Sequence, residues 1–139
     1  MEFPFQTVSK SPSPQFNNEE VDCLSKNIYF EARDQPISGQ FAVAEVVLNR
    51  TKSGGFPPDI CEVVKQKKKR KCQFSWYCDG KADIMSEKRA ATLAKYIAVS
   101  VLEKPTNYSK GALYYHADYV TPNWRKRKVA TIGDHVFYT

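Results

Sequence analysis

Apolar residues recur at helical spacing through the first third of the chain. Val21, Leu24, Ile28 and Ala32 fall on one stripe, which predicts a helix from about Asn18 to Arg33. Asn17 or Asn18 can cap it, and Glu19 and Glu20 suit its positive N-terminal end. Pro36 disfavours helical backbone at Gln35 and marks the stop. A second helix is predicted over Ser38 to Arg50. Its centre, FAVAEVVL, is apolar on every side except at Glu45, which is the pattern of a buried helix. KSGGFPP breaks the chain, and a short helix follows from Asp59, a candidate cap, to about Lys65.

Residues 66–83 read as a loop. The next stripe is Ala90, Leu93, Ala94, Ile97 and Val101. It predicts a helix from Ser86, its candidate cap, to Leu102, closed by Pro105. Then the texture changes. GALYYHA and VATIGDHVFYT are short, aromatic and β-branched and predict two strands, with DYVTPNWRKRK as a loop between them. Tyr114 and His116 alternate with Tyr115, so they share one strand face. The predicted class is α+β, mostly helical, with a small two- or three-stranded antiparallel sheet near the C-terminus. SPSP forces extended or turn backbone near the start. Residues 1–17 are therefore expected to form a flexible arm, and 18–139 a single domain.

Composition narrows the partners. A chain of 139 residues, 42% hydrophobic and 26% charged, suits one globular domain. No apolar run approaches the roughly 18 residues that cross a bilayer, so membrane insertion is not expected. The stretch MEFPFQTVSKSPSPQFNNEE lacks the basic start and apolar run of a secretory signal. The expectation is synthesis in the cytoplasm and release or export by another route. The net charge of +6, much of it in KQKKKRK, favours an anionic partner: nucleic acid, a membrane surface or cell-wall polymer. WRKRK adds a second basic run. Solvated loops account for both runs, and no nucleic-acid-binding motif accompanies them. Cys23, Cys61, Cys72 and Cys78 allow three full pairings. Without a secretory signal, reduced thiols are expected at synthesis. No CxxC or CxxH pair is present, so no metal site is expected.

Two glutamates stand out. Glu31, in NIYFEARD, borders the apolar stripe one turn from a helix end. Burial there raises a carboxyl's pKa, which suits an acid that protonates a leaving oxygen. The alternative is an ordinary boundary glutamate paired with Arg33, Lys26 or Lys52. Glu45 shares a face with Phe41 and Leu48, so it is either buried with a partner or open to a cleft. Glu45 is thus a candidate accessory carboxyl, with a structural hydrogen-bond acceptor as the preferred reading.

IYFEARDQPISGQFAVAEVVLNR, FPPDICEVV, CQFSWYCDG, GALYYHADYVTPNW and TIGDHVFY, in that order, resemble the SleB/CwlJ-type cell-wall hydrolase family. The resemblance runs from about Asp22 to Tyr138. It implies a lysozyme-like catalytic domain that cleaves peptidoglycan glycan strands, with Glu31 of the Glu-Ala-Arg pattern as catalytic residue. It implies no cofactor and a monomer acting on peptidoglycan. Some characterised relatives are lytic transglycosylases. Neither their wall-binding repeats nor a secretion signal is read in these 139 residues, and on that reading a phage endolysin or a compact bacterial enzyme is expected rather than a germination enzyme. Gln73, Ser75 and Trp76 are expected on a loop facing the cleft, and Tyr114 or His116 on the sheet beside it. Core packing competes as the role of Phe74 and Trp76. His116 and His135 are the two histidines; a metal pair or a nuclease-like base is weighed against hydrogen bonding within the sheet. Gly133 serves the turn before His135. Cys72 and Cys78 flank QFSWY and can bridge it, with Cys61 as a competing partner. The activity that the resemblance implies is lytic transglycosylase cleavage of the β-1,4 bond between N-acetylmuramic acid and N-acetylglucosamine; the alternatives are a muramidase-type hydrolase of that bond, or a basic non-catalytic wall- or nucleic-acid-binding module.

Overall fold

Asn17 caps the first helix through a capping box. Its side chain accepts from the Glu20 N–H at 2.7 Å, and Glu20 accepts from the Asn17 N–H at 3.4 Å. Helix α1 then spans Asn18–Ala32, α2 Ile37–Thr51, α3 Ile60–Val64 and α4 Lys88–Glu103. This computed structural model describes residues 17–139, so the arm expected over 1–17 lies, Asn17 apart, outside the described residues. Asp59 caps α3 by accepting from the Glu62 N–H at 3.1 Å. No described helix is long and apolar enough to cross a membrane.

Helix α1 sits at the centre of the helical layer, against α2, α3 and α4. Leu24, Ile28, Val47, Val63, Ile97 and Val101 form the main core. Full burial of each such side chain contributes about 1.5–3 kcal/mol. A second cluster joins Ala32, Ala42, Val43 and Val46 to Phe137 of the sheet. Helix α2 feeds both clusters from opposite sides, which is why its centre is apolar all round. Glu45 is the exception: it is buried and accepts from Thr106 Oγ1 at 2.5 Å and from the N–H groups of Tyr108 and Ser109 at 3.0 and 2.7 Å. It anchors the chain between α4 and the sheet.

The region expected as a loop over 66–83 holds a small hairpin, β1 (Lys67–Lys68) and β2 (Lys71–Cys72), and a 3-10 turn over Ser75–Cys78. The hairpin turns through Lys69 and Arg70, with φ of 53° and 73°. Two-residue hairpins usually use Asn-Gly or Asp-Gly there, so the sequence carried no turn signal. Ser86 does not cap α4. Glu87 occupies the cap position without a side-chain cap bond. The reason lies in α1: Tyr29 Oη accepts the Glu87 N–H at 3.0 Å, and Arg33 Nε donates to Glu87 Oε2 at 2.8 Å.

Strands β3 (Tyr114–Ala117), β4 (Lys128–Ile132) and β5 (His135–Tyr138) form an antiparallel sheet in the order β3-β5-β4. VATIGDHVFYT, expected as one strand, is therefore two. Gly133 makes the bend at φ 57°, and a side chain there would meet Gln35 Oε1 and come within 2.7 Å of Pro36 Cδ. All four cysteines are paired, Cys23 with Cys61 and Cys72 with Cys78. The thiols expected as reduced at synthesis are thus bridged in the folded chain, their Cα atoms standing 5.4 and 5.9 Å apart.

Candidate active site

The last turn of α1 carries Glu31 to the floor of a cleft between the helices and the sheet. Ile28 and Ala32 beside it are fully buried and fix its helix against the core. From the sheet, the Tyr115 hydroxyl donates to Glu31 Oε1. Tyr115 is held in turn by Phe137 and His135, with ring centroids 5.5 and 5.0 Å away. The end of α2 sets the start of β3: Asn49 Nδ2 donates to the Ala112 carbonyl at 2.9 Å and Arg50 Nε to the Leu113 carbonyl at 2.8 Å. Arg50 is buried, with its guanidinium over the rings of Phe56, Phe74 and Tyr114.

Burial raises the Glu31 pKa above its ordinary value, while the Tyr115 hydrogen bond and the Arg50 charge pull against that rise. The negative end of the α1 dipole also disfavours charge at this position. Tyr115 is pushed well above its ordinary value by burial and by Glu31, so its hydroxyl stays protonated and remains the donor. Burial lowers Arg50, opposed by Tyr115, Tyr114 and Glu31. The result is a carboxyl biased toward its protonated form, held by a neutral donor and backed by a buried cation. It can deliver a proton to an oxygen in the cleft and take one back.

The cleft has a volume of about 560 Å³, and its lining includes Phe30, Glu31, Tyr119 and His135. Asp34, Glu87 and Asp134 also border it. These three carboxylates are exposed, and each already has a partner: Gln35 for Asp34 and Asp134, Arg33 for Glu87. Glu31 is the one desolvated acid among them.

The other sequence candidates fall outside this lining. Gln73 and Ser75 are exposed. Trp76 is buried behind the cleft wall, stacked on Phe30 at 4.9 Å, with Nε1 donating to Asn27 Oδ1 at 2.9 Å. It braces the helix that carries Glu31. Tyr114 and His116 lie on the opposite face of β3 from Tyr115. His116 Nε2 is 2.8 Å from the Tyr138 hydroxyl, and both rings contact Trp124. The two histidines cannot form a metal pair, because His116 is opposite Val136 in register while His135 is opposite Ala117, which places them on opposite faces. No group of three metal-ligating side chains occurs among the described residues. Glu45 is committed to the 106–109 loop. Sequence reading missed Tyr115 and Arg50. Strand alternation offered two faces of YYH, and the buried one was the pertinent choice.

A family model described as Cell Wall Hydrolase matches residues 34–138, beginning just after Glu31. The spore cortex-lytic enzyme of Bacillus subtilis (strain 168) is 31% identical over 125 residues, covering 88% of this chain and 38% of that protein. The spore cortex-lytic enzyme of Oceanobacillus iheyensis is 28% identical over 136 residues, 94% of this chain and 45% of that one. This chain thus spans less than half the length of these curated relatives. The catalytic domain of the germination-specific lytic transglycosylase SleB from Bacillus anthracis superposes with a TM-score of 0.76 at 25% identity, covering 91% of this chain and 99% of that domain. The fold is the lysozyme-like α+β fold of that domain, and the chain belongs to the Cell Wall Hydrolase family.

Proposed function

We propose that this chain cleaves the β-1,4 bond between N-acetylmuramic acid and N-acetylglucosamine in peptidoglycan, as a lytic transglycosylase with Glu31 as its catalytic acid and base. The observation that carries this reading is one desolvated carboxyl in a cleft whose other carboxylates are exposed and already partnered. Glu31 protonates the bridging oxygen as the C1–O bond breaks and positive charge develops on the muramic ring. The resulting carboxylate then removes the proton from the sugar's own 6-hydroxyl, whose oxygen closes on C1. The product is a 1,6-anhydro ring, and Glu31 is reprotonated without water or a second carboxylate. The Tyr115 hydroxyl steadies the carboxylate between the two transfers.

The paired cysteines fit work in an oxidising space outside the cytoplasm, as for a phage endolysin or an exported enzyme. The test is digestion of purified peptidoglycan by wild type and by Glu31→Gln, with fragments weighed by mass spectrometry. Anhydro-muramic ends that vanish in the variant are the expected result. Reducing muramic ends would make the enzyme a muramidase-type hydrolase of the same bond. No cleavage of several wall types would overturn the reading.

A further inference from the structure

The two histidines of the sheet are treated differently by the fold. Both nitrogens of His116 are engaged, Nδ1 with the Ala117 carbonyl at 2.7 Å and Nε2 with the Tyr138 hydroxyl at 2.8 Å. His135 is more buried, at 8% exposure, yet its Nδ1 is enclosed without a partner. No hydrogen bond reaches its ring among the described residues. His135 lines the cleft containing Glu31, and with Nδ1 enclosed, Nε2 is the nitrogen left to meet a ligand there.

The placement is built rather than incidental. Gln35 fastens the β4–β5 bend to the residues that follow Glu31: its Oε1 accepts the Asp134 N–H at 2.8 Å and its Nε2 donates to Asp134 Oδ2 at 3.2 Å. The Asp118 N–H adds a bond to the Asp134 carbonyl at 2.7 Å. Gly133 allows the close approach to Pro36. His135 comes next in the chain, and its ring rests on Tyr115, the donor to Glu31. Burial lowers the His135 pKa and His116 adds to that, while Asp34, Asp134 and Asp118 oppose it. A neutral imidazole at the cleft has a donor or an acceptor to offer a hydroxyl or an acetamido group.

We propose that His135 is a substrate-positioning residue whose Nε2 hydrogen-bonds a hydroxyl or acetamido group of the amino sugar held at Glu31. This rests on the peptidoglycan reading above. It is a role in holding the sugar; Glu31 remains the proton carrier.

The experiment compares wild type, His135→Phe and His135→Gln on soluble glycan strands, together with their melting temperatures. His135→Phe is expected to lose about tenfold in kcat/KM, the effect of one substrate hydrogen bond. His135→Gln, which keeps a side-chain donor and acceptor, is expected to recover most of it. Separately, the imidazole nitrogens are followed by NMR in the Glu31→Gln variant as N-acetylglucosamine trimer is added. The His135 Nε2 signal should shift while those of His116 stay put. An unmoved His135 signal, despite trimer binding seen elsewhere in the spectrum, overturns the proposal, as does full activity in a folded His135→Phe. If His135→Phe fails to fold, the NMR titration decides. If wild type cleaves no glycan, the peptidoglycan reading fails first, and that result is distinct from a selective loss in the variants.

Discussion

The Tyr115 hydroxyl donates to Glu31 Oε1 across 84 residues of sequence, tying the last turn of α1 to the centre of β3. This bond favours the ionised carboxylate, whereas burial favours the acid. The working protonation state of Glu31 is the balance of the two.

Tyr115→Phe removes the opposing pull, so Glu31 should hold its proton to higher pH. The alkaline limb of the kcat/KM profile is expected to move upward. Activity at the optimum should fall about tenfold, because the carboxyl loses the contact that orients it. A pH–rate profile on peptidoglycan checks both. An unchanged alkaline limb would separate Tyr115 from the ionisation of Glu31.

Glu31→Gln should make the protein more stable near neutral pH while abolishing activity. The folded pKa of Glu31 is raised above its unfolded value. Its contribution to stability is therefore fully present below the unfolded pKa and is lost as pH rises through the folded one. The amide carries no such penalty. The gap between variant and wild type should open across that window and stay open above it, each kcal/mol appearing as about 2–4 °C in Tm. Thermal melts from acid to neutral pH measure it, and a variant less stable than wild type at neutral pH would contradict the desolvation of Glu31.

Much of this arrangement was legible because local signals agreed with the fold. The Val21, Leu24, Ile28 and Ala32 stripe is buried as spaced, and Pro36 ends α1 where it should. The misses have one physical origin: partners distant in sequence. Ser86 looked like a cap, but Tyr29 and Arg33 claim its neighbour Glu87. Trp76 looked like a sugar platform, but Asn27 takes its N–H and Phe30 its face. Tyr114 and His116 share a strand face, but the side that meets Glu31 is set by Phe137 packing under the sheet. Alternation gives two faces; only tertiary packing says which one is inside.

Glu45→Gln should separate structure from catalysis. The carboxylate takes three hydrogen bonds from 106–109. An amide nitrogen in place of one oxygen faces donors with another donor, at a cost of about 1–3 kcal/mol. Denaturant unfolding should report that loss, whereas kcat/KM of the folded variant should stay within about threefold of wild type. A large fall in kcat with unchanged stability would return Glu45 to the chemistry.

The two disulfides should differ in what their removal costs. Cys23–Cys61 joins α1 to α3 and closes a loop of 38 residues, whereas Cys72–Cys78 closes one of 6. Loop-closure entropy in the unfolded chain gives about 4 kcal/mol for the first and about 2 kcal/mol for the second. The smaller bridge has the closer link to function. It ties β2 to the end of the 3-10 turn that presents Trp76, and Trp76 backs both Phe30 at the cleft wall and Asn27 one turn before Glu31. The double Cys72→Ser, Cys78→Ser variant is therefore expected to lose more activity per kcal/mol of stability than Cys23→Ser, Cys61→Ser. Unfolding curves and peptidoglycan cleavage measured on both variants, below their unfolding transitions, test the ordering. Equal activity loss per unit of stability would mean that Trp76 is held in place by the core alone.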